Sequence, residues 1–171
     1  MMTTAEIICA AVLLIGMPRA EFACEHMQDV VDSSVEYNID PILLTALIHV
    51  ESRWNPKVKS KAGACGLTQI IPKFSRKFGY VGCSQLQKNP ELAIRKGAQI
   101  LSYWYYGYAR KNIIMALCAY NAGYICTKYK NKKRIKYPDK VLKYRKKIKI
   151  WYDKWIESLE EIPGCNHGKG S

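Results

Sequence analysis

The stretch from Asp40 to Ser52 constrains the chain most, because it predicts a helix with an acid on its apolar face. Asp40 is a favourable N-cap, and Pro41 suits the first helical position, where a missing amide proton costs nothing. Leu47 and Glu51 lie four residues apart and therefore share one helix face. A carboxyl group placed there loses hydration when charged, so the pKa of Glu51 should rise and Glu51 can serve as a general acid. The alternative is an exposed glutamate at a helix end.

The other apolar patterns also predict helices, and no strand pattern competes with them. Apolar residues recur at helical spacing in residues 25–37, after Asn89, after Asn112 and after Pro138. The glycine-rich loop within residues 57–71 leaves room for at most a small β-hairpin. The sequence therefore predicts a mainly α fold.

Three short blocks resemble, in order and spacing, the signatures of soluble lytic transglycosylases. They are Ala46-Leu47-Ile48-His49-Val50-Glu51-Ser52, Gly63-Ala64-Cys65-Gly66-Leu67-Thr68-Gln69 and Ala119-Tyr120-Asn121-Ala122-Gly123. The resemblance covers roughly residues 35–145. It implies a lysozyme-like domain that acts on the glycan strands of peptidoglycan.

The resemblance also implies roles for single residues. The glutamate of the first signature is the catalytic acid of the family, which corresponds to Glu51. The positions that match residues that hold the sugar are Ser52, Gln69, Tyr120 and Asn121. A further tyrosine of the family, from a stretch after the third signature, corresponds to Tyr137. Thr68 stands where a methionine is usual, which predicts a smaller and more polar cleft wall.

Length and composition predict one domain behind an export signal. The chain has 171 residues, 49% of them hydrophobic, which is enough for a single core. The apolar run at residues 7–17 is too short to span a bilayer and resembles the central part of a secretory signal. We therefore expect a signal peptide at 1–23, the lysozyme-like domain at 24–160 and a C-terminal tail at 161–171.

The signal has irregular features that leave alternatives open. Cleavage after Ala20 or after Ala23 is compatible with the sequence, and Glu6 stands where positive charge is usual. An uncleaved segment would tie the protein to a membrane, and the sequence predicts no other membrane contact. The expected location is therefore outside the cytoplasm, either periplasmic or secreted.

The cysteine count supports export. Six cysteines remain after Cys9 is removed with the signal peptide, namely Cys24, Cys65, Cys83, Cys118, Cys126 and Cys165. An even number in an oxidising compartment predicts three disulfides among these six, with the pairing left open. Their spacing matches no zinc site, and the sequence predicts neither a metal nor a cofactor.

The distribution of carboxylates bears on the reaction. Between residues 52 and 138 the chain holds one acid, Glu91, which falls in the first turn of a predicted helix. Glu51 therefore suits a scheme in which the substrate's N-acetyl group stabilises the cation and no second carboxylate takes part. The resemblance implies cleavage of the MurNAc-GlcNAc bond with a 1,6-anhydro end. Folding could still bring a second acid near, from Asp32, Asp40 or Asp139, as a hydrolase requires.

Positive charge is concentrated near the end of the chain. The segment from Lys128 to Lys154 carries 13 Lys or Arg against two acids, in a protein of net charge +13. Such a segment can bind anionic cell-wall polymers or simply form a solvated helix face. A nucleic-acid module would explain the charge but not the three signatures, so no nucleic acid is expected. The alternatives to a transglycosylase are a goose-type lysozyme-like muramidase and a non-catalytic, basic wall-binding module.

Overall fold

Helices dominate the structure, which confirms the mainly α prediction. The computed structural model describes residues 2–128 and 136–160. The α-helices in these ranges are α1 (Thr4–Leu14), α2 (Ala20–Glu25), α3 (Met27–Tyr37), α4 (Pro41–Ser52), α5 (Cys83–Lys88), α6 (Pro90–Ser102), α7 (Ile113–Ala122) and α8 (Lys136–Glu160). A π-helical segment continues α6, and three 3₁₀ segments link other elements: Tyr103–Tyr108, Pro72–Phe74, Arg76–Phe78 and Gly123–Lys128.

The loop between α4 and α5 contains the only extended pairing in the described ranges. Cys65 pairs with Lys59 on one side and with Ile70 on the other, each as an isolated antiparallel bridge. These single bridges do not develop into strands, which agrees with the predicted limit of at most a small hairpin.

The helix boundaries follow the local capping signals that the sequence contains. The side chains of Asp40, Asn89 and Asn112 each accept a backbone N–H from the first turn of α4, α6 and α7, at 2.9, 2.9 and 3.0 Å. Asn38 ends α3 in the left-handed conformation, with φ 53°. The predicted positions of these four helix ends are confirmed.

Helix α4 lies in the middle of the core. Its side chains Leu44, Leu47 and Ile48 are fully buried, and α3 and α8 pack against it. Helix α8 contributes the fully buried Val141 and Ile148 to the same core. Burying each such side chain contributes about 1.5–3 kcal/mol, so α4 is held rigidly along most of its length.

Helix α8 begins earlier than predicted. Its first described residue is Lys136, whereas the sequence placed the start at Pro138. Pro138 lies in the first turn, where the absent amide proton would have no helical partner, so the helix can begin before it. Residues 129–135 of the basic segment and the predicted tail at 161–171, with Cys165, lie outside the described residues.

The N-terminal segment forms a packed helix pair. In α1, Ile8 and Val12 are fully buried, and the helix packs against α2, α3 and α8. A disulfide joins Cys9 of α1 to Cys24 of α2. The expectation that Cys24 pairs within a set lacking Cys9 is therefore wrong, because α1 folds back beside α2 and brings Cys9 within bonding distance. Cleavage of residues 1–23 stays a prediction.

The other disulfides of the described residues join Cys65 to Cys83 and Cys118 to Cys126. No helix within these ranges combines the length and the apolar character that crossing a bilayer requires.

Candidate functional site

Glu51 lies at the C-terminal end of α4, where the chain turns sharply. Arg53 and Trp54, which follow the helix, both have left-handed backbone conformations, with φ 52° and 61°. This turn sends the Trp54 side chain into the core, where it is fully buried. Glu51 itself remains half-buried at the surface of the core. Burial raises its pKa from 4.5 to about 7, so Glu51 can hold a proton close to neutral pH.

Tyr137 reaches Glu51 from the first turn of α8. Its hydroxyl donates a hydrogen bond to Oε1 of Glu51, and this bond opposes the effect of burial by lowering the pKa of the carboxyl group. Burial and the neighbouring Glu51 carboxylate raise the pKa of Tyr137 well above 10, so the hydroxyl keeps its proton and acts as a donor. The tyrosine therefore stabilises the charged form of the acid without competing for its proton.

An ion pair fixes α8 against the helix that carries the acid. Arg145 donates from Nε to Oδ2 of Asp40 at 2.7 Å, and its Nη2 forms an ion pair with the same oxygen at 2.7 Å. Asp40 also caps α4 through its other carboxylate oxygen. Sequence reasoning missed Arg145, because the two residues are 105 positions apart and no local pattern connects them.

Tyr120 connects Glu51 to the loop of the second signature. It lies in the last turns of α7 and donates from its hydroxyl to the backbone carbonyl of Thr68 at 2.8 Å. The pKa of Tyr120 is raised well above 10, mainly by burial and to a lesser extent by the nearby negative charge of Glu51. Tyr120 and Tyr137 thus approach Glu51 from two different helices.

Gln69 braces the loop in which it lies. Its side-chain amide donates to the backbone carbonyls of Gly66, at 3.0 Å, and Val58, at 3.3 Å. Gln69 has a left-handed backbone, with φ 48°, and therefore stores strain that these bonds help to offset. The loop is consequently held in one conformation beside Tyr120.

Thr68 does not form the cleft wall that the sequence predicted. Its side chain is fully buried, and its hydroxyl donates to the carbonyl of Ala93 in α6 at 2.7 Å. A Cβ on Gly97 would come within 2.4 Å of the Thr68 methyl group, so this glycine makes room for the side chain. The prediction was wrong because the side chain at this position points into the α6 contact, and only the backbone of Thr68 faces the tyrosine.

The side chains of Ser52 and Asn121, unlike those of Tyr120 and Tyr137, do not face Glu51. Ser52 is buried and its hydroxyl donates to the carbonyl of Ile48 at 3.1 Å, within α4. Asn121 is exposed on α7, two residues before Gly123, which has φ 64°. The structure therefore brings Glu51, Tyr120 and Tyr137 together, while Ser52 faces the helix backbone and Asn121 faces solvent.

The sequence left open that Asp32, Asp40 or Asp139 lies near Glu51, and the structure places each of them elsewhere. Asp40 lies at the opposite end of α4 from Glu51, about 16 Å away along the helix axis. Asp32 accepts a hydrogen bond from Gln28 on α3, at 2.8 Å. Asp139 is exposed, and its position on α8 is more than a third of a turn from Tyr137, the residue that faces Glu51. Within residues 2–128 and 136–160, no group of three His, Cys, Asp or Glu residues could hold a metal ion.

Sequence comparison supports the resemblance over most of the chain. The family model described as the transglycosylase SLT domain matches residues 31–143. The endo-type membrane-bound lytic murein transglycosylase A of Klebsiella pneumoniae (strain 342) is 46% identical over 74 residues, which cover 39% of this chain and 36% of that protein. The soluble lytic murein transglycosylase of Escherichia coli K12 is 42% identical over 85 residues, or 46% of this chain and 13% of that protein. The chain thus spans well under half the length of these relatives.

Comparison with solved structures also shows similarity to lytic transglycosylases. The 70-kDa soluble lytic transglycosylase in complex with bulgecin A has a TM-score of 0.67 and 26% identity, over 84% of this chain and 26% of that one. An inactive mutant of the lytic transglycosylase Slt from Pseudomonas aeruginosa has a TM-score of 0.61 and 25% identity, over 78% of this chain and 24% of that one. The lysozyme-like fold implied by the signatures is therefore confirmed.

Proposed function

The chain belongs to the transglycosylase SLT family, and on this premise we propose that it is a peptidoglycan lytic transglycosylase with Glu51 as its catalytic acid. The observation that carries the proposal is the half-buried carboxyl group of Glu51, which has a pKa of about 7 and faces two tyrosines. An acid with such a pKa can donate a proton near neutral pH and can also accept one. The bond to be cut is the β-1,4 link from N-acetylmuramic acid to N-acetylglucosamine.

In the first step, protonated Glu51 gives its proton to the glycosidic oxygen, and the bond from that oxygen to the anomeric carbon breaks. The N-acetyl group of the same muramic acid stabilises the positive charge on the sugar. Tyr137 stabilises the resulting Glu51 carboxylate through the hydrogen bond to Oε1.

In the second step, the Glu51 carboxylate accepts the proton of the 6-hydroxyl group on the same muramic acid. The hydroxyl oxygen bonds to the anomeric carbon, which produces a 1,6-anhydro end and returns Glu51 to its protonated form. Attack within one bound sugar is favoured by proximity, since no water molecule has to be captured.

The substrate contacts are proposed for the residues that surround this acid. Tyr120 and Tyr137 are supported by their position at Glu51, and Gln69 by its place in the loop that Tyr120 holds. Asn121 is supported by its exposure near Tyr120. For Ser52, whose hydroxyl donates within α4, a sugar contact requires its side chain to rotate away from the Ile48 carbonyl when substrate binds.

The test compares Glu51→Gln with Glu91→Gln on purified peptidoglycan, followed by mass spectrometry of the products. Glu91 lies in the first turn of α6 and serves as the matched control. We expect 1,6-anhydro ends from the wild type and from Glu91→Gln, and a loss of at least two orders of magnitude in Glu51→Gln, because glutamine cannot donate a carboxylic proton. Reducing ends as the main product would instead identify a hydrolytic, goose-type lysozyme-like muramidase. A folded wild type without any product would favour the non-catalytic wall-binding module.

We also propose that the basic segment binds anionic polymer of the cell wall. Seven lysines of α8 are exposed, and within the described residues only Lys149 among them pairs with an acid, Asp153 at 2.8 Å: Lys136, Lys140, Lys143, Lys146, Lys147, Lys149 and Lys154. Replacing Lys143, Lys146 and Lys147 by glutamate should weaken binding to intact walls and reduce its salt dependence, while cleavage of short soluble glycans persists. Loss of activity on the short glycans would contradict a role confined to binding.

Export with removal of residues 1–23 remains part of the proposal, supported by the apolar run at 7–17. Intact-mass analysis of protein recovered from outside the cytoplasm tests it. A chain shortened by the first 20 or 23 residues would agree with the proposal, whereas a chain that retains them would show that α1 and its bridge to Cys24 belong to the working protein.

A further inference from the structure

Two disulfides flank the loop of Thr68 and the helix end of Tyr120, which are joined by a hydrogen bond. Cys65 stands directly before the Gly66–Gln69 turn, and its partner Cys83 begins α5. Cys118 stands two residues before Tyr120, and its partner Cys126 lies in the 3₁₀ segment that follows α7. Each bridge thus encloses one of the two segments that meet in the hydrogen bond from Tyr120 to Thr68.

The first bridge joins the loop of the second signature to α5. Cys65 and Ile70 exchange backbone hydrogen bonds of 3.0 and 3.2 Å, which close the loop between them. The backbone of Gly66 lies so close to α5 that a Cβ there would stand 2.6 Å from the carbonyl oxygen of Leu86. The Cys65–Cys83 bridge therefore links this loop covalently to the first residue of α5.

The second bridge holds the end of α7. The chain from Cys118 to Cys126 leaves the helix at Gly123, whose φ of 64° belongs to the left-handed region. Cys126 is buried, against Met115 of the same helix at 3.8 Å between the sulfur atoms. The bridge ties the segment after Gly123 back onto α7 and so fixes the helical turn that carries Tyr120.

The two bridged segments meet in a single hydrogen bond, from the Tyr120 hydroxyl to the Thr68 carbonyl at 2.8 Å. We propose that Cys65–Cys83 and Cys118–Cys126 are positioning groups for the reaction, which hold this hydrogen bond, and with it Tyr120, against Glu51. Catalysis, and not stability alone, then depends on both bridges. This inference rests on the function proposed above.

The third bridge provides an internal control. Cys9–Cys24 joins α1 to α2, and neither helix carries a candidate site residue. All three bridges restrict the unfolded chain and should contribute to stability to a comparable degree. A purely structural role would therefore give three similar phenotypes, whereas a positioning role separates Cys9–Cys24 from the other two.

The experiment uses paired serine substitutions in a chain that is produced without export and oxidised in vitro, so that residues 1–23 and the Cys9–Cys24 bridge are retained. Cys165→Ser is a common background that prevents thiol exchange. The pairs are Cys65→Ser with Cys83→Ser, Cys118→Ser with Cys126→Ser, and Cys9→Ser with Cys24→Ser. Circular dichroism and thermal melting define a temperature at which all three are folded. There, kcat and KM for a soluble uncrosslinked glycan are measured across pH 5 to 9.

We expect kcat to fall by about 10- to 100-fold in both site-flanking pairs, because small displacements around reacting groups have effects of this size. The activity should also decline at lower pH than in the wild type. The groups that face Glu51 are Tyr120 of α7 and Tyr137 of α8, and a displaced Tyr120 admits water that favours the charged carboxylate. The control pair Cys9→Ser with Cys24→Ser should keep the wild-type kcat and pH profile.

Identical kcat values and pH profiles in all three folded pairs would overturn the inference. A second measurement decides the matter if a cysteine pair does not fold. Tyr120→Phe, measured alone with every bridge intact, removes the hydroxyl that donates to Thr68 and should reproduce the pH shift, whereas a wild-type pH profile would overturn the inference. Where Cys118→Ser with Cys126→Ser is folded, adding Tyr120→Phe to it should cost less than the sum of the separate losses. Full additivity would contradict a shared mechanism.

The outcome is separable from the proposed function. If Glu51→Gln abolishes 1,6-anhydro products while the cysteine pairs behave like the control, the transglycosylase stands and the positioning role fails. If the wild type gives no products, the proposed function is overturned, and with it the positioning role that rests on it.

Discussion

Tyr137→Phe tests how the site sets the proton affinity of Glu51. The substitution keeps the aromatic ring in its place and removes the hydroxyl that donates to Oε1 of Glu51. Because this hydrogen bond stabilises the carboxylate, its loss should raise the pKa of Glu51 above its value of about 7. Hydrogen bonds to charged groups contribute about 1.5–3 kcal/mol, and 1.36 kcal/mol corresponds to one pH unit, so the expected rise is about one to two pH units.

The assay is the pH dependence of kcat/KM on a soluble glycan, since this ratio reports ionisation of the free enzyme. The alkaline limb, which reflects loss of the Glu51 proton, should move upward in Tyr137→Phe. Tyr152→Phe is the matched control, because Tyr152 packs against the core from the same helix. A titration of Glu51 by carbon NMR measures the pKa directly. An alkaline limb that stays in place or moves downward would refute this account of the Tyr137 hydrogen bond.

Three further predictions concern stability. The pKa of Glu51 is about 7 in the fold against 4.5 in a free side chain, so the fold loses stability as pH rises between these values. Glu51→Gln should therefore match the wild type at pH 4 and exceed it by about 3 kcal/mol at pH 8, measured by urea unfolding. Gly97→Ala should destabilise by about 1–3 kcal/mol, because its Cβ would lie 2.4 Å from the methyl and 2.7 Å from the Cβ of Thr68, and Thr68→Ser, which removes only the methyl, should restore part of the loss in the double variant. Arg145→Ala should lower stability by about 1 kcal/mol or less, because the ion pair with Asp40 is partly exposed, and high salt should reduce the difference in melting temperature.

Local sequence signals predicted the helix starts because the capping contacts span two or three residues. Asp40, Asn89 and Asn112 satisfy nearby N–H groups whatever the rest of the chain does. The raised pKa of Glu51 was also foreseeable, since a helix face repeats regularly and Leu47 already marked the apolar side.

Contacts between residues that are far apart in the chain could not be predicted from local sequence signals. The sequence predicted that Tyr137 contacts the substrate. Its hydrogen bond to Glu51 depends on how α8 packs against α4. The orientation of Thr68 depends on the small volume of Gly97 in another helix. The pairing of Cys9 with Cys24 depends on α1 packing beside α2, whereas the sequence argument had assigned α1 to the signal. In each case the deciding information is tertiary.

The contacts of α8 also determine when during synthesis the acid acquires its partner. Tyr137 is 86 residues from Glu51, and Arg145 is 105 residues from Asp40. Contacts of such sequence separation form late in folding, since long loops must close first. A ribosome that has made only the first two signatures holds a chain with the glutamate and its loop but without α8. Such a nascent chain lacks the hydrogen bond that stabilises the charged acid, so the proposed catalytic cycle would become available only after nearly the whole domain has emerged.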